Sequence, residues 1–385
     1  MRASGLENAR QRSLPNVKRV LVFNFFAGLM DRGIPLYARN IIACMRRVGL
    51  EPIELCCPRW LHGTPRPLLN VLFVVFEQVV APLMRVLRRC RLVVYPYNSA
   101  GIVDAALGRS VLIIHDFIGN GVRRSSLAAR YITFTQAFHR RFKRPVVAAS
   151  AHTLRHLRRL PAFRGCLIKL WTNPFYSFEE ALSRSPPRMH TAHHDRLKVL
   201  LCSGLGQNKD FRGALRLFAS SHHLRDAELR ILGFGNDARV AERWVARLPM
   251  ELRRRITVLP RLDLEQVVME YLTSDLVWVH SAKEGFGRSV VEARLSGRTV
   301  LASNIGAFRR LHGPGVYLYR KHSFDAVLAR ALGAPPAPRG NALRYHQRLE
   351  ASVSALTALY FQSAQPARLA SAGETEADHN VENLY

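Results

Sequence analysis

The chain has 385 residues and 43.6 kDa, 48% hydrophobic and 22% charged, which suits two ordinary domains and excludes wholesale disorder. It carries 57 Lys+Arg against 28 Asp+Glu, formally +29 with a pI near 11.1; seven of the basic residues are Lys and fifty are Arg. Such a charge draws a protein toward anions (nucleic acid, anionic lipid or phosphorylated ligands) and says nothing of fold.

Residues 1–16 are polar with no apolar h-region, so a disordered start and no signal peptide are expected. Residues 18–24 (KRVLVFN) read as a buried strand, followed by a Gly-containing loop and a helix over 35–48. Further strands are expected at 52–57, 91–95, 111–114 and 145–149, with helical patterns between them. This alternation is that of a parallel sheet covered on both faces. The most hydrophobic stretch is 67–84 (PLLNVLFVVFEQVVAPLM), about long enough to span a bilayer. Asn70, Glu77, Gln78 and Pro82 within it favour a buried helix over a spanning one. A third option is a helix lying on a membrane surface, because Arg59 and Arg66 precede it and Arg85, Arg88, Arg89 and Arg91 follow.

Over 173–195 the pattern gives way to a polar stretch with Ser-Pro-Pro and three His, a linker composition. The strand rhythm then restarts at 197–202, 228–232, 256–259, 276–279 and 299–302. The expected organisation is an N-terminal acceptor-side domain over 17–172, a linker over 173–195 and a C-terminal donor-binding domain over 196–338. A helix over 339–365 packs back across the domains, and a disordered acidic tail fills 366–385. Cysteines stand at 44, 56, 57, 90, 166 and 202, with no CxxC and no His at ligand spacing. Neither a disulfide scaffold nor a zinc site is expected, and a reducing compartment fits.

Ligands of open parallel sheets bind beyond the carboxyl ends of the strands, so the loops there carry the chemistry. After 197–202 comes SGLGQNKD: Gly204 and Gly206 permit a tight turn, and Lys209 stands at a helix start, where an anion is already favoured. Lys209 can equally be a solvated helix-start residue. After 228–232 comes GFGND, a turn at Gly233 that lacks the dinucleotide fingerprint. After 276–279 comes HSAKEGFGRSVVEARLSG, in which Glu284 and Glu292 are eight residues apart. Gly285 and Gly287 let backbone N–H groups face a ligand, Arg288 and Ser289 open a helix suited to phosphate, and Glu292 lies on the face toward the same pocket. A carboxylate there can accept two hydroxyl hydrogen bonds from a sugar diol.

The segment EGFGRSVVEARLSGRTVLAS resembles the E-x7-E segment of retaining GT-B glycosyltransferases of family four type, which build bacterial polysaccharides, lipopolysaccharides and glycolipids. The fold implied is α/β, two Rossmann-like parallel-sheet domains facing a cleft. By that resemblance Glu284 and the loop Gly285, Phe286, Gly287 touch the donor sugar, Glu292 binds the ribose, and Lys209, with Gly204 and Gly233 in the flanking turns, binds the diphosphate. GIPLYARNIIACMRR resembles the family's first loop and helix, with Gly33 approaching the cleft. LIIHDFIGNG resembles a strand followed by His-Asp, common in members that transfer mannose from GDP donors, which turns His115 toward the reaction centre. A hydrogen-bonded loop histidine fits His115 equally well. Two departures stand out: the Arg that often precedes the diphosphate Lys is absent, and Arg288-Ser289 replaces an apolar-Pro pair.

The resemblance implies a metal-independent hexosyltransferase, the hexose mannose-like, using a GDP- or UDP-linked donor, with no other cofactor and no Asp-x-Asp to bridge a metal. The base is set by backbone contacts around 260–264. The implied catalytic set is His115, Glu284 and Lys209, with Arg288 as a second cation. The acceptor is a saccharide or lipid-linked, and the enzyme is cytoplasmic and peripheral on an anionic inner membrane face. Alternatives are a catalytically weakened GT-B scaffold, a phosphorylase- or sucrose-type transferase, and a basic nucleic-acid-binding protein. The last is disfavoured by the lack of aromatic–basic interleaving.

Overall fold

Runs of Val, Leu and Ile too apolar to face water on either side become the strands of two parallel sheets, each of six strands. The computed structural model describes residues 18–30, 33–115, 127–185 and 196–362. The first sheet holds β1 (Arg19–Phe23), β2 (Glu51–Leu55), β3 (Leu92–Tyr95), β4 (Ser110–Ile114), β5 (Val146–Ala148) and β6 (Ile168–Leu170) in the order β2-β1-β3-β4-β5-β6. Its helices are α1 (Ile34–Arg47), α2 (Arg66–Leu87), α3 (Ile102–Ala106), α4 (Leu127–Arg141) and α5 (Ala151–Arg159); α6 (Tyr176–Arg184) follows β6 and buries Phe178 and Ala181 in the core of the second domain. The second sheet holds β7 (Lys198–Cys202), β8 (Glu228–Leu232), β9 (Ile256–Val258), β10 (Leu276–Val279), β11 (Thr299–Ser303) and β12 (Val316–Tyr319) in the order β12-β11-β10-β7-β8-β9. With it go α7 (Phe211–Ser220), α8 (Ala238–Val245), α9 (Leu264–Thr273), α10 (Arg288–Leu295), α11 (Phe324–Leu332) and α12 (Leu343–Gln362).

Right-handed crossovers put α1 on one face of the first sheet and α2 to α5 on the other. The two faces pack separate cores. Val20, Val22 and Val94 meet α1 and α12, whereas Leu21, Phe23 and Tyr95 meet α2 and α5. Register fixes the site. Val279 of β10 pairs with Cys202 of β7, so the loops that follow them emerge side by side. Ile114 of β4 pairs with Ala148 of β5, which does the same for His115 and Ser150.

Three expectations are corrected. The stretch 173–195 is not all linker: Tyr176–Arg184 is a helix that buries Tyr176, Phe178 and Ala181, an apolar face outweighed in the sequence by the Ser-Pro-Pro behind it. Residues 186–195 lie outside the described residues, as do the expected disordered ends, 1–16 and 366–385. The outer strands β6 and β12 were not expected; each is only three or four residues long and lies at a sheet edge. The helix over 67–84 is not buried. Only 17% of its apolar window is covered: Glu77, on a π turn at Phe76–Val80, is buried with Leu69 and Ala81, while Leu68, Val71, Val75, Val79, Leu83 and Val86 stay exposed.

α12 ties the halves together. Tyr345 packs in the core of the second domain, while Leu349, Val353, Leu356 and Tyr360 are buried in that of the first. The Tyr360 hydroxyl donates to the Ser110 carbonyl at 3.0 Å.

Candidate active site

A cavity of about 330 Å³ lies between the carboxyl ends of the two sheets. Gly33, Tyr37, Asn98, His115 and Asn173 line it from one side; Lys209, Glu284, Gly285, Phe286, Gly287, Arg288 and Ser289 line it from the other. The loops after β7 and β10 are stitched together: the Asn208 carbonyl accepts from Ala282 N at 2.7 Å, and Asn208 Nδ2 donates to the Lys283 carbonyl at 3.1 Å. That seam brings Lys209 Nζ into an ion pair with Glu284 Oε1, which also accepts from Ser281 Oγ at 3.0 Å. The cation expected at the diphosphate and the carboxylate expected at the sugar therefore neutralise each other.

Behind Lys209, Asp210 adopts a left-handed conformation (φ 41°) and caps α7 by accepting from Gly213 N. Burial alone would raise its carboxyl; bonds from Lys321 and His280 outweigh this and hold it below the ordinary carboxylate range. It stays an anion, which fixes the turn that presents Lys209.

Gly287 opens α10 with φ 100°, and a Cβ there would stand 2.5 Å from the Phe308 ring, so the loop needs glycine. Ser150, which caps α5 in the first domain, donates to the Gly285 carbonyl at 2.9 Å and so holds the donor loop from across the cleft. Arg288 donates to the Pro174 carbonyl at 3.0 Å and lies 4.6 Å over the Phe175 ring, gripping the chain between the domains.

The strand end after β4 presents His115 edge-on to the Tyr37 ring at 4.6 Å, with its backbone N–H donating to Asn98 Oδ1 at 2.8 Å. Burial pushes the imidazole down to about 4; a bond to the Pro96 carbonyl opposes this and the nearby Arg288 charge adds to it. Its Nε2 is buried with no hydrogen-bond partner among the described residues. A neutral ring bonded to a carbonyl through its other nitrogen keeps a lone pair at Nε2 for a donor in the cavity.

Three expected site residues stand elsewhere. Glu292 does not line this cavity: it is 1% exposed, accepts from the Tyr271 hydroxyl at 2.9 Å and pairs with Arg288 at 3.4 Å. Position five on the helix points it inward, under Arg288, rather than to the pocket face. Gly233 lines a neighbouring cavity of about 400 Å³, walled by Phe26, Met30, His62, Arg66 and Leu69 and by Pro260, Arg261 and Leu262. Gly204 lines neither; a Cβ there would stand 3.6 Å from the Gly233 carbonyl oxygen. An exposed ion pair, Arg66 to Asp237 at 3.3 Å, crosses the larger cavity. Sequence reasoning missed Tyr37, Asn98, Asn173 and Ser150. Ser150 was findable as a cap at a strand-to-helix turn, but the others act through geometry that no motif marks. Among the described residues, no group of three His, Cys, Asp or Glu could hold a metal ion.

Residues 187–332 match the family model described as Glycosyl transferases group 1. A D-inositol 3-phosphate glycosyltransferase of Nocardia farcinica (strain IFM 10152) is 39% identical over 85 residues, which is 22% of this chain and 19% of the relative's length. Among solved structures, sucrose-phosphate synthase from Thermosynechococcus elongatus superposes with a TM-score of 0.61 at 16% identity, covering 90% of this chain and 98% of that one. Anabaena HepE in complex with UDP and glucose gives 0.56 at 17%, covering 88% and 94%. WaaG, a glycosyltransferase involved in lipopolysaccharide biosynthesis, gives 0.54 at 14%, covering 92% and 100%. The segment that carries Lys209, Glu284 and Glu292 thus matches the glycosyl transferases group 1 family, and the chain as a whole has the two-domain GT-B fold.

Proposed function

We propose that the chain is a retaining, metal-independent hexosyltransferase. It takes a mannose-like sugar from a GDP- or UDP-linked donor and passes it to a saccharide or lipid-linked acceptor in envelope polysaccharide synthesis. The observation that carries this reading is the interdomain cavity that joins Lys209, Glu284, the Gly285–Gly287 loop and His115 Nε2, which has no hydrogen-bond partner among the described residues. The family match over 187–332 and the nucleotide-bound neighbour support it.

In this reading the donor diphosphate lies against Lys209 and the amino end of α10, where fixed positive charge meets the charge that develops on the leaving group. The diphosphate takes Lys209 from Glu284, which frees that carboxylate for sugar hydroxyls. It also draws Arg288 outward, and Glu292 is then released for the ribose; the two assignments are coupled. The base fills the larger cavity beside Gly233 and residues 260–262. His115 Nε2 accepts from a hydroxyl of the transferred sugar. The anomeric carbon–phosphate oxygen bond breaks, a bond to the acceptor oxygen forms on the same face, and the acceptor proton passes to the leaving phosphate.

Thermal shift against a panel of nucleoside diphosphates and their sugars tests donor binding first: specific stabilisation by one GDP or UDP sugar is expected. The anomeric configuration of the product, read by NMR, then tests retention, and inversion would sink the mechanism. Silence across the whole panel would favour the scaffold reading that the missing Arg suggests.

A further inference from the structure

We propose that the outer surface of α2, α3 and α4 docks the first domain on an anionic bilayer, with α2 lying in the plane of the interface. The proposal stands apart from the sugar-transfer reading and is tested at residues that line neither of its cavities.

α2 runs 22 residues, and an 18-residue window within it has a mean hydropathy of 1.8. Leu68, Val71, Val75, Val79, Leu83 and Val86 follow one another at steps of three and four and are 43–60% exposed, so one apolar stripe runs the length of the helix. No acid interrupts it. Glu77, the helix's one carboxylate, is fully buried and takes bonds from Ser99, Tyr131 and Gln78. Those bonds also join the neighbouring helices: Tyr131 belongs to α4, and Gln78 accepts from the first amide of α3. Arg85 of α2 pairs with Asp104 of α3 at 2.6 Å. The crossovers put all three helices on one face of the sheet, and α3 and α4 expose Val103, Leu127 and Phe134 there.

The charge at the ends of the stripe selects the occupant. Exposed Arg88, Arg89 and Arg91 follow one end; exposed Arg59 and Arg66, with Trp60 81% exposed, precede the other. An apolar stripe between cationic ends, with no exposed acid on the helix, complements a hydrocarbon boundary under anionic headgroups. A second copy on the same face would bring basic ends against basic ends or against bare Val and Leu, with no acid to pair them. Spanning would strip Glu77, Leu69 and Ala81 from the domain core that buries them. The Arg66 end of α2 also borders the larger cleft cavity, so docking brings that cavity close to the bilayer surface.

The test is flotation of the purified chain with phosphatidylcholine vesicles, with and without about one-third phosphatidylglycerol, at low and high salt. Binding to the anionic vesicles, at least tenfold weaker without phosphatidylglycerol and weakened by salt, is expected. V79E/L83E should abolish it, and R88E/R89E should cut it severalfold; both pairs are exposed, so circular dichroism and melting should match the wild type. No flotation with anionic vesicles at low salt overturns the proposal, as does full binding by folded V79E/L83E. Two other results also overturn it: a dimer that V79E/L83E dissolves, which makes the face a self-interface, and resistance to alkaline extraction, which makes α2 a spanning helix.

Discussion

At the residue scale the site is a set of groups held ready by their neighbours. His115 has its imidazole pushed down to about 4. The folded state therefore holds it neutral across the range where the unfolded chain takes up a proton. Its contribution to stability is full above the ordinary histidine range and is lost as pH falls toward 4. The expected kcat/KM profile accordingly has no acidic limb near pH 6.5 from this residue, and a limb there that disappears in His115→Gln would contradict the assignment. Gly233 has φ 121°, and a Cβ would stand 2.0 Å from the Ser203 carbonyl oxygen, a backbone atom with nowhere to go. Gly233→Ala should cost about 1–3 kcal/mol from backbone strain alone, and the shifted turn should weaken donor binding; urea titration and thermal shift read the two effects. Because Arg288 and Glu292 hold each other, Arg288→Ala and Glu292→Ala should be non-additive in donor affinity, with a coupling of about 0.5–3 kcal/mol. Additive losses would separate the ribose role from the diphosphate role. All four residues stood in recognisable motifs, so their presence was legible. The Arg288–Glu292 pair is an i,i+4 spacing on one helix and was legible too; the burial that takes Glu292 out of the pocket was not, because it depends on which face of α10 packs into the domain.

At the element scale α2 is the informative case. Its apolar run was plain in the sequence, and Glu77 argued against exposure to hydrocarbon. The fold separates those two facts: the carboxylate, on a π turn, is buried in the domain. Burial raises the Glu77 carboxyl to about 7, against opposing bonds from Ser99, Tyr131 and Gln78. With a folded value above the unfolded 4.5, the protonated fold is favoured, and stability falls as pH rises from about 4.5 through 7. Glu77→Gln should flatten that decline, worth at most about 3 kcal/mol, in melts taken between pH 5 and 8. An unchanged slope would mean that Glu77 is not the titrating group. The helix at Tyr176–Arg184 shows the reverse failure: loop-forming residues next to an amphipathic turn hid it.

At the scale of the whole molecule, α12 decides how the halves are joined. Leu349 is fully buried in the first domain although it follows the second in sequence. Leu349→Ala should cost about 2–5 kcal/mol and lower the melting temperature of the first domain; an unchanged melt would mean that the helix docks loosely. The sequence alone determined the two-sheet α/β architecture, because continuous apolar runs must be covered on both faces. It also determined the loops that carry Lys209, Glu284, Gly285, Gly287 and Arg288, because they directly follow such runs. Only the tertiary structure decided that Lys209 neutralises Glu284, that Glu292 lies beneath Arg288, that Ser150 reaches the donor loop and that the most apolar helix faces outward. The Lys209–Glu284 and Ser150–Gly285 contacts join residues far apart in sequence, and the burial of Glu292 and the outward face of α2 depend on which helix face packs on the domain; sheet order, strand register and helix winding set these where local composition does not.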